Sequence, residues 1–375
     1  MIRVLQIYDS ISVSSGISSV IMAWFRNANK ESIKMDFLCC WKKEPSYEKE
    51  ITSKCSKVWY ISSYESIGSY YEFILKVKDF FQEHANDYDI IHLHSAIFSF
   101  PFLYYARKYG IRVRVVHAHS SSLGNTKLSS VRNILTLIPM KIFGNCFLAC
   151  SYEAAKVWFE SCNIKKYHII LNGIDINEFS IDYDVKKQLR EYYNIKADEF
   201  LIGHISNMNP IKNIPFLLRV VSELIKSGKK AKIIFIGNDI IPQSIDKIIR
   251  ELKIENYIIN IGIQKDINKL IQMFDVCMMP SISEGYGLVP IEAQAAGVPV
   301  IISEGFPKVI CFTEACFRLP LKEKKWLECV NNMMNNKLCI VYRKSKLKQF
   351  DNAMITENLI KIYEGALNVS NGEIV

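Results

Sequence analysis

MPSISEGYGLVPIEAQAAGVPV, residues 279–300, combines three signals. It opens on the end of an apolar strand (DVCMMP), passes through a polar loop with Gly285 and Gly287, and enters a PIEAQAA run that reads as a helix closed by Gly297-Val298-Pro299. A helix starting at such a loop aims free backbone N–H groups and its positive dipole end at whatever sits over the loop. That suits an anion. The two glycines let the backbone approach a ligand closely. Glu284 and Glu292 flank the site, eight residues apart. Two glutamates at that spacing are often just solvated carboxylates; the glycines, proline and apolar positions between them make this string specific. Carboxylates beside an anion site suit a ligand with both hydroxyls and phosphates, such as a nucleotide sugar.

Outward from this stretch, apolar β-rich runs alternate with helical spacing. RVLQIYD, KMDFLCC, KVWYIS, DIIHLHS, RVRVVHAHS and CFLACS read as strands, with SSVIMAWFRNAN, SYYEFILKVKDFFQEHA and YEAAKVWFESC as helices between them. FLIGHIS, AKIIFIG, YIINIG, DVCMMPS and VPVIIS repeat the scheme, separated by helices near 213–227, 244–252, 266–274 and 290–296. Such alternation implies α/β domains with parallel sheets, whose ligands gather at the carboxyl ends of the strands. The turn-rich LNGIDINEFSIDYD separates the halves, giving domains at 1–176 and 177–350. The segment 351–375 reads as a C-terminal helix, from about Asn352 to Asn368, and a tail, packing back toward the first domain.

At 375 residues the chain has room for two full cores. Its opening lacks the marks of a signal peptide, and no apolar run reaches the length of a spanning helix, so a cytoplasmic protein is expected. The eleven cysteines are scattered without a C-x-x-C pair, which suggests reduced core thiols rather than a disulfide framework. The net charge of +9 is unevenly placed. From Ile90 to Tyr152 there is no Asp or Glu, while Arg107, Lys108, Arg112, Arg114, Lys127, Arg132 and Lys141 lie among aromatic and aliphatic residues. A solvated basic face is the plain reading; contact with an anionic membrane surface is the sharper one. No nucleic-acid-binding module is present.

Other motifs are weaker alone. The Ser-rich loop Asp9–Gly16 joins the first strand to a helix, where backbone N–H groups can meet phosphate, or it is an ordinary turn. Lys212 stands where the GHISNMNPIKN stretch enters a helix, placed either to neutralise phosphate or to face solvent. His92/His94 and His117/His119 each share a strand face, as zinc ligands or structural groups do. Without an H-E-x-x-H or a nearby carboxylate, one histidine of each pair is read as structural, with His119 facing ligand at a strand end. Asp87/Asp89 and Asp182/Asp184 could mark a metal-bound diphosphate, but read as a strand start and part of a linker.

Taken together, SGISSVIMAWF, YDIIHLHS, RVRVVHAHSSS, CSYEAAKVWF, NGIDINEF, IGHISNMNPIKNIPFLL, SEGYGLVPIEAQAAGVPVIIS and FPK resemble the retaining glycosyltransferases of family four, the group 1 transferases, in the branch that builds capsular or exopolysaccharide. The resemblance implies a GT-B fold: two Rossmann-like domains facing across a cleft, acceptor-binding first and donor-binding second. It implies that Glu292 holds ribose hydroxyls and that Glu284, with the amides of Gly285, Tyr286, Gly287 and Leu288, holds the transferred sugar. Gly16 would approach the diphosphate, Lys212 would pair with it, and His119 would line the cleft near the sugar. No metal or other cofactor is implied. The expected partners are a UDP- or GDP-sugar and a glycan or polyprenyl-diphosphate-linked acceptor, at the inner face of the membrane. A catalytically weak GT-B protein and a nucleotide-sugar epimerase are the alternatives on this fold. One position departs from the family pattern: an arginine usually stands five residues before the lysine, where this chain has Asn207. Losing one cation costs about 3 kcal/mol, roughly a hundredfold in rate, unless Lys308 substitutes.

Overall fold

The structure, a computed structural model, describes residues 1–13, 15–62, 70–94, 99–120, 137–179, 182–335 and 344–370. Two compact units form, Met1–Gly173 with Gln349–Val375, and Ile174–Lys348.

The first unit carries β1 Ile2–Tyr8, β2 Ile33–Trp41, β3 Val58–Ser62, β4 Ile90–Leu93, β5 Val113–Ala118, β6 Cys146–Ala149 and β7 His168–Ile169. They pair in parallel in the order β3-β2-β1-β4-β5-β6-β7. Helices buried on one face explain the amphipathic runs between them. Gly16–Asn27 buries Val20, Ile21 and Trp24, and Tyr70–His84 buries Phe73, Val77 and Phe81. The Asn352–Ser370 helix packs on Gly16–Asn27 and β5. Its stripe of Ile355, Leu359, Tyr363 and Leu367, four residues apart, is buried. Gly173 allows that return, because a Cβ there would lie 2.5 Å from Asn352 Oδ1 and 2.9 Å from the Phe350 carbonyl oxygen.

The second unit carries β8 Phe200–Ile205, β9 Ala231–Ile236, β10 Ile258–Asn260, β11 Val276–Met279, β12 Val300–Ser303 and β13 Cys316–Leu319, parallel in the order β10-β9-β8-β11-β12-β13. β11 and β12 are buried along their whole length, as strands covered on both faces must be. Leu217, Val221 and Leu224 of the Ile214–Lys226 helix pack with Ile202, Ile233, Phe235 and Met278. Gly203 is required inside β8, since a Cβ there would sit 2.1 Å from the Phe274 ring.

Two sequence expectations change, and a third, that the Asp-x-Asp pairs are not metal sites, agrees with the structure. Cys311 and Cys316 are paired as a disulfide at the entry to β13, their Cα atoms 5.2 Å apart, so not every thiol is free. A four-residue gap and a tight approach to the strand bring them together without a C-x-x-C motif. The helix expected from Pro290 begins at Leu288, because Gly287 with φ +94° already turns the chain into it. Neither Asp-x-Asp pair has the environment of a metal site. Asp89 accepts from the backbone N–H and guanidinium of Arg3 and from Arg112, tying β1 to the start of β4. Asp182 caps the Tyr183–Tyr192 helix by accepting from the N–H groups of Asp184 and Val185.

Candidate functional site

In the second unit β8 and β11 are neighbours, but their successors β9 and β12 lie on opposite sides. Such a switch point opens a crevice at the carboxyl ends of the two strands. Two loops meet there. The loop after β8 bends at Met208 (φ +50°) and Asn213 (φ +54°), and Asn209 caps its last turn by accepting from the Ile211 N–H at 3.1 Å. His204 supports it from below: fully buried, it bonds the Met278 carbonyl oxygen through Nδ1 at 2.8 Å and the Ser206 hydroxyl through Nε2 at 2.8 Å. Desolvation lowers its pKa to about 4, so it is neutral in this role.

The Ile282 N–H bonds the Ile211 carbonyl oxygen at 2.8 Å, joining the loop after β8 to the loop after β11. Lys212 and Glu284 are thereby brought together, Nζ to Oε1 at 2.6 Å, with side chains only 19% and 13% exposed. The third loop, after β12, fixes the second. The Glu284 N–H bonds the Gly305 carbonyl oxygen at 3.0 Å, and the Ser303 hydroxyl donates to the Ser281 carbonyl oxygen. Gly287 is obligatory, because besides its positive φ a Cβ would lie 2.4 Å from the Phe306 ring.

The Leu288–Ala295 helix starts at this point, so the Leu288 and Val289 N–H groups open its first turn. Tyr286 is buried beneath it at 3% exposure. Glu292 sits one turn on. The residue keeps some surface, yet its carboxyl is packed in protein, and desolvation raises its pKa to about 7. Gln294 anchors the helix, donating to the Pro290 and Ile310 carbonyl oxygens at 2.9 Å each and accepting from Thr313. Asn207 lies exposed at the loop after β8, its Oδ1 accepting from the Asn209 N–H at 3.5 Å. Lys308 is exposed in the turn after Phe306 and Pro307.

In the first unit Gly16 begins its helix, with Ser15 as cap accepting from the Ser18 N–H at 3.3 Å. A Cβ on Gly16 would meet nothing within 4 Å, so no protein atom demands glycine there. Ser14 lies outside the described residues. His119, just past the end of β5, bonds His94, Nε2 to Nδ1, at 2.8 Å. His94 in turn bonds Gln6 Oε1, and His92 bonds both Tyr363 and His117. Sequence reasoning expected one structural histidine in each pair; the structure buries His92, His94 and His117 together. Their ligand-type atoms lie within 4.8 Å of one another. His117 stacks on His119 at 4.1 Å, while His92 and His94, 4.0 Å apart, are tilted by 32°. Both ring nitrogens of His92 and of His94 are engaged in hydrogen bonds, so the three rings do not aim free lone pairs at one tetrahedral centre. The donor set fits a hydrogen-bonded chain, not a metal site.

Comparison with known proteins adds to this geometry. Residues 14–178 match the model described as "Glycosyltransferase Family 4", and residues 185–337 the model "Glycosyl transferases group 1". The "Putative glycosyltransferase EpsF" of Bacillus subtilis (strain 168) is 27% identical over 88% of this chain and 86% of its own length. The "UDP-Gal:alpha-D-GlcNAc-diphosphoundecaprenol alpha-1,3-galactosyltransferase" of Escherichia coli is 23% identical over 68% of this chain and 65% of its own. Among solved structures, Anabaena HepE in complex with UDP and glucose superposes with a TM-score of 0.81 at 16% identity, covering 97% of this chain and 100% of HepE. WaaG, a glycosyltransferase involved in lipopolysaccharide biosynthesis, gives 0.71 at 12% identity over 98% and 100%.

Proposed function

Because the chain belongs to the family four, group 1 glycosyltransferases and has their GT-B fold, we propose that it is a retaining hexosyltransferase. It moves a sugar from a UDP- or GDP-linked donor to a hydroxyl of a glycan or lipid-linked oligosaccharide in surface polysaccharide synthesis. The observation that carries this reading is the meeting of Lys212 and Glu284 at 2.6 Å beside the start of the Leu288–Ala295 helix. A cation, a carboxylate and free amides at one switch point suit a sugar diphosphate. The name of one relative supports the choice of donor and acceptor. The E. coli enzyme is named for a UDP-sugar and a diphosphoundecaprenol-linked sugar.

Lys212 and the helix amides take the charge of the leaving diphosphate, so transfer proceeds without a metal. Glu284 orients the transferred sugar, and Glu292 accepts from the ribose hydroxyls. The acceptor hydroxyl attacks from the leaving-group face, and a phosphate oxygen receives its proton. The protein's contribution is positioning and electrostatic stabilisation. The test is transfer from UDP-glucose, UDP-galactose, UDP-N-acetylglucosamine and GDP-mannose to a polyprenyl-diphosphate N-acetylglucosamine, with EDTA present. An α-linked product from an α-donor is expected. A β-linked product would refute retention, binding without turnover would leave the weak GT-B reading, and conversion of donor without acceptor would favour an epimerase.

Three predictions follow from these residues. Glu292 must be ionised to accept two ribose hydroxyls, so donor affinity is expected to be full above pH 7 and to fall as pH drops through about 7. Calorimetric titration with UDP checks this, and in Glu292→Ala affinity should be about a hundredfold weaker and its pH dependence flat. Asn207→Arg should raise kcat or leave it intact, since it adds a cation where the family has one; a tenfold loss would mean Asn207 has a role of its own.

Membrane contact is the third. The helix at 137–143 leaves Ile138 62% and Ile142 53% exposed beside the exposed Lys141. Replacing all three by serine should weaken binding to phosphatidylglycerol vesicles by about tenfold or more; unchanged binding would return this face to solvent. Lys127 and Arg132 lie outside the described residues. Among the described residues no helix is long and apolar enough to cross a membrane.

A further inference from the structure

The first unit buries a run of polar side chains that an apolar core does not need. Four imidazoles, an amide and a phenol lose their water here, so each donor must find an acceptor. The bonds fall in one continuous order. His119 Nε2 meets His94 Nδ1 at 2.8 Å, His94 Nε2 meets Gln6 Oε1 at 2.8 Å, and Gln6 Nε2 meets the Tyr363 hydroxyl at 3.4 Å. The Tyr363 hydroxyl meets His92 Nδ1 at 2.5 Å, and His92 Nε2 meets His117 Nδ1 at 3.1 Å.

Gln6 sets the direction of this chain. Its Oε1 only accepts, so His94 carries its proton on Nε2. Its Nε2 donates to the Tyr363 hydroxyl, which could equally serve an oxygen there, and to Met35 Sδ at 3.7 Å; turning the amide around would set Oε1 against a sulfur with no proton to give. A neutral His94 protonated on Nε2 has a bare Nδ1. His119 must therefore donate from Nε2, which leaves its own Nδ1 bare. On the other branch Tyr363 donates to His92, His92 donates to His117, and His117 keeps its proton on Nε2. Both ends, His119 Nδ1 and His117 Nε2, are covered and have no partner among the described residues. His119 stands past the carboxyl end of β5, on the side of the sheet where ligands gather. Burial holds its pKa down at about 3, so it stays neutral near pH 7.

We infer that Gln6 and His94 are positioning residues that hold His119 in its Nε2–H tautomer, so that Nδ1 accepts a hydrogen bond from a sugar hydroxyl of the substrate. A phosphate oxygen has no hydrogen to give to a bare nitrogen. The inference rests on the sugar-transfer reading above, but the tautomer can be measured without turnover.

The experiment is 15N NMR of the full chain labelled at histidine. His119 is expected to show a protonated Nε2 and a bare Nδ1, and the Nδ1 resonance is expected to move upfield on adding UDP-glucose or UDP-galactose. In Gln6→Met, His94 loses the acceptor that fixes its proton, so His119 should become a mixture of tautomers, and kcat/KM should fall about tenfold. Tyr363→Phe removes a bond of equal burial from the other branch and should leave the His119 tautomer unchanged, whatever it does to thermal stability. A protonated Nδ1 in the wild type overturns the inference. So does a bare Nδ1 that persists in Gln6→Met, or activity that falls only in proportion to stability in both variants. An Nδ1 resonance that responds to EDTA but not to sugar nucleotides assigns that nitrogen to a metal ion, and one that responds to neither assigns it to an internal water; both overturn the hydroxyl. An enzyme inactive with every donor but with the expected tautomer would refute the transferase reading alone.

Discussion

Lys212→Ala is expected to lower kcat/KM by roughly a thousandfold, or about 4 kcal/mol. In the proposed mechanism the diphosphate leaves as charge builds on it, and Asn207 offers that charge no cation. Lys212 then carries a share that an arginine–lysine pair would divide. The ion pair with Glu284 complicates the reading, because the two side chains are mostly covered at 19% and 13% exposure. Removing the lysine leaves Glu284 without its close cation, and breaking a buried pair costs about 3 kcal/mol of stability at most in so open a loop. Two measurements separate these effects. Thermal unfolding reports the structural share. Glu284→Gln, alone and with Lys212→Ala, reports how much of the loss the pair itself accounts for. If lysine acts only by pairing with Glu284, the double variant should be no slower than Glu284→Gln alone. If it acts on the diphosphate, adding Lys212→Ala should slow Glu284→Gln by a further factor of the same size. A loss of less than tenfold in Lys212→Ala would remove it from the site.

This half of the site was legible in sequence because its parts are local. Gly287, Leu288 and Glu292 lie on one loop and helix, and Lys212 follows a strand that alternation had already placed. The supports were not legible. Phe306 pins Gly287 from another loop, and His204 acts from under a strand, where a lone buried histidine carries no sequence signal. The histidine chain is less visible still. Gln6 is a single polar residue in an apolar strand, and Tyr363 joins His92 across 271 positions. Apolar periodicity missed the Tyr183–Tyr192 helix for a plain reason: none of its residues is fully buried, and only Val185 and Leu189 supply apolar side chains to its half-buried face. The Ser99–Lys108 helix hid behind a proline at its third position and a run of aromatics. Strand β7, two residues at a sheet edge, is too short for alternation to register, and β13, at the other sheet's edge, is half-buried at every position and so shows no alternation.

Mild acid should unfold the first unit while leaving the second nearly unaffected. A histidine whose folded pKa lies below its unfolded value of about 6.5 leaves stability intact above that value and removes it as pH falls below, because the unfolded chain then binds a proton the folded chain refuses. His119, at about 3, loses about 2 kcal/mol for the first unit between pH 7 and pH 5. His92, His94 and His117 are all lowered by burial and by one another, and they add losses of the same sign. In the second unit His204, at about 4, also removes about 2 kcal/mol over that range. Glu292 runs the other way: its folded pKa of about 7 lies above the unfolded value, so acid relieves a buried charge and returns about 2 kcal/mol. The two terms offset. The tryptophans make the difference measurable, since Trp24, Trp41, Trp59 and Trp158 lie in the first unit and Trp326 in the second. In Trp326→Phe, fluorescence follows the first unit alone, and its urea midpoint should drop steeply from pH 7 to pH 5. Calorimetry of the wild type should show one transition moving down and the other staying. His119→Asn should remove only one share of the slope, because its neighbours still refuse protons. Equal movement of both transitions, or a first-unit midpoint independent of pH, would mean that the four imidazoles are not held neutral by burial and the bonds between them.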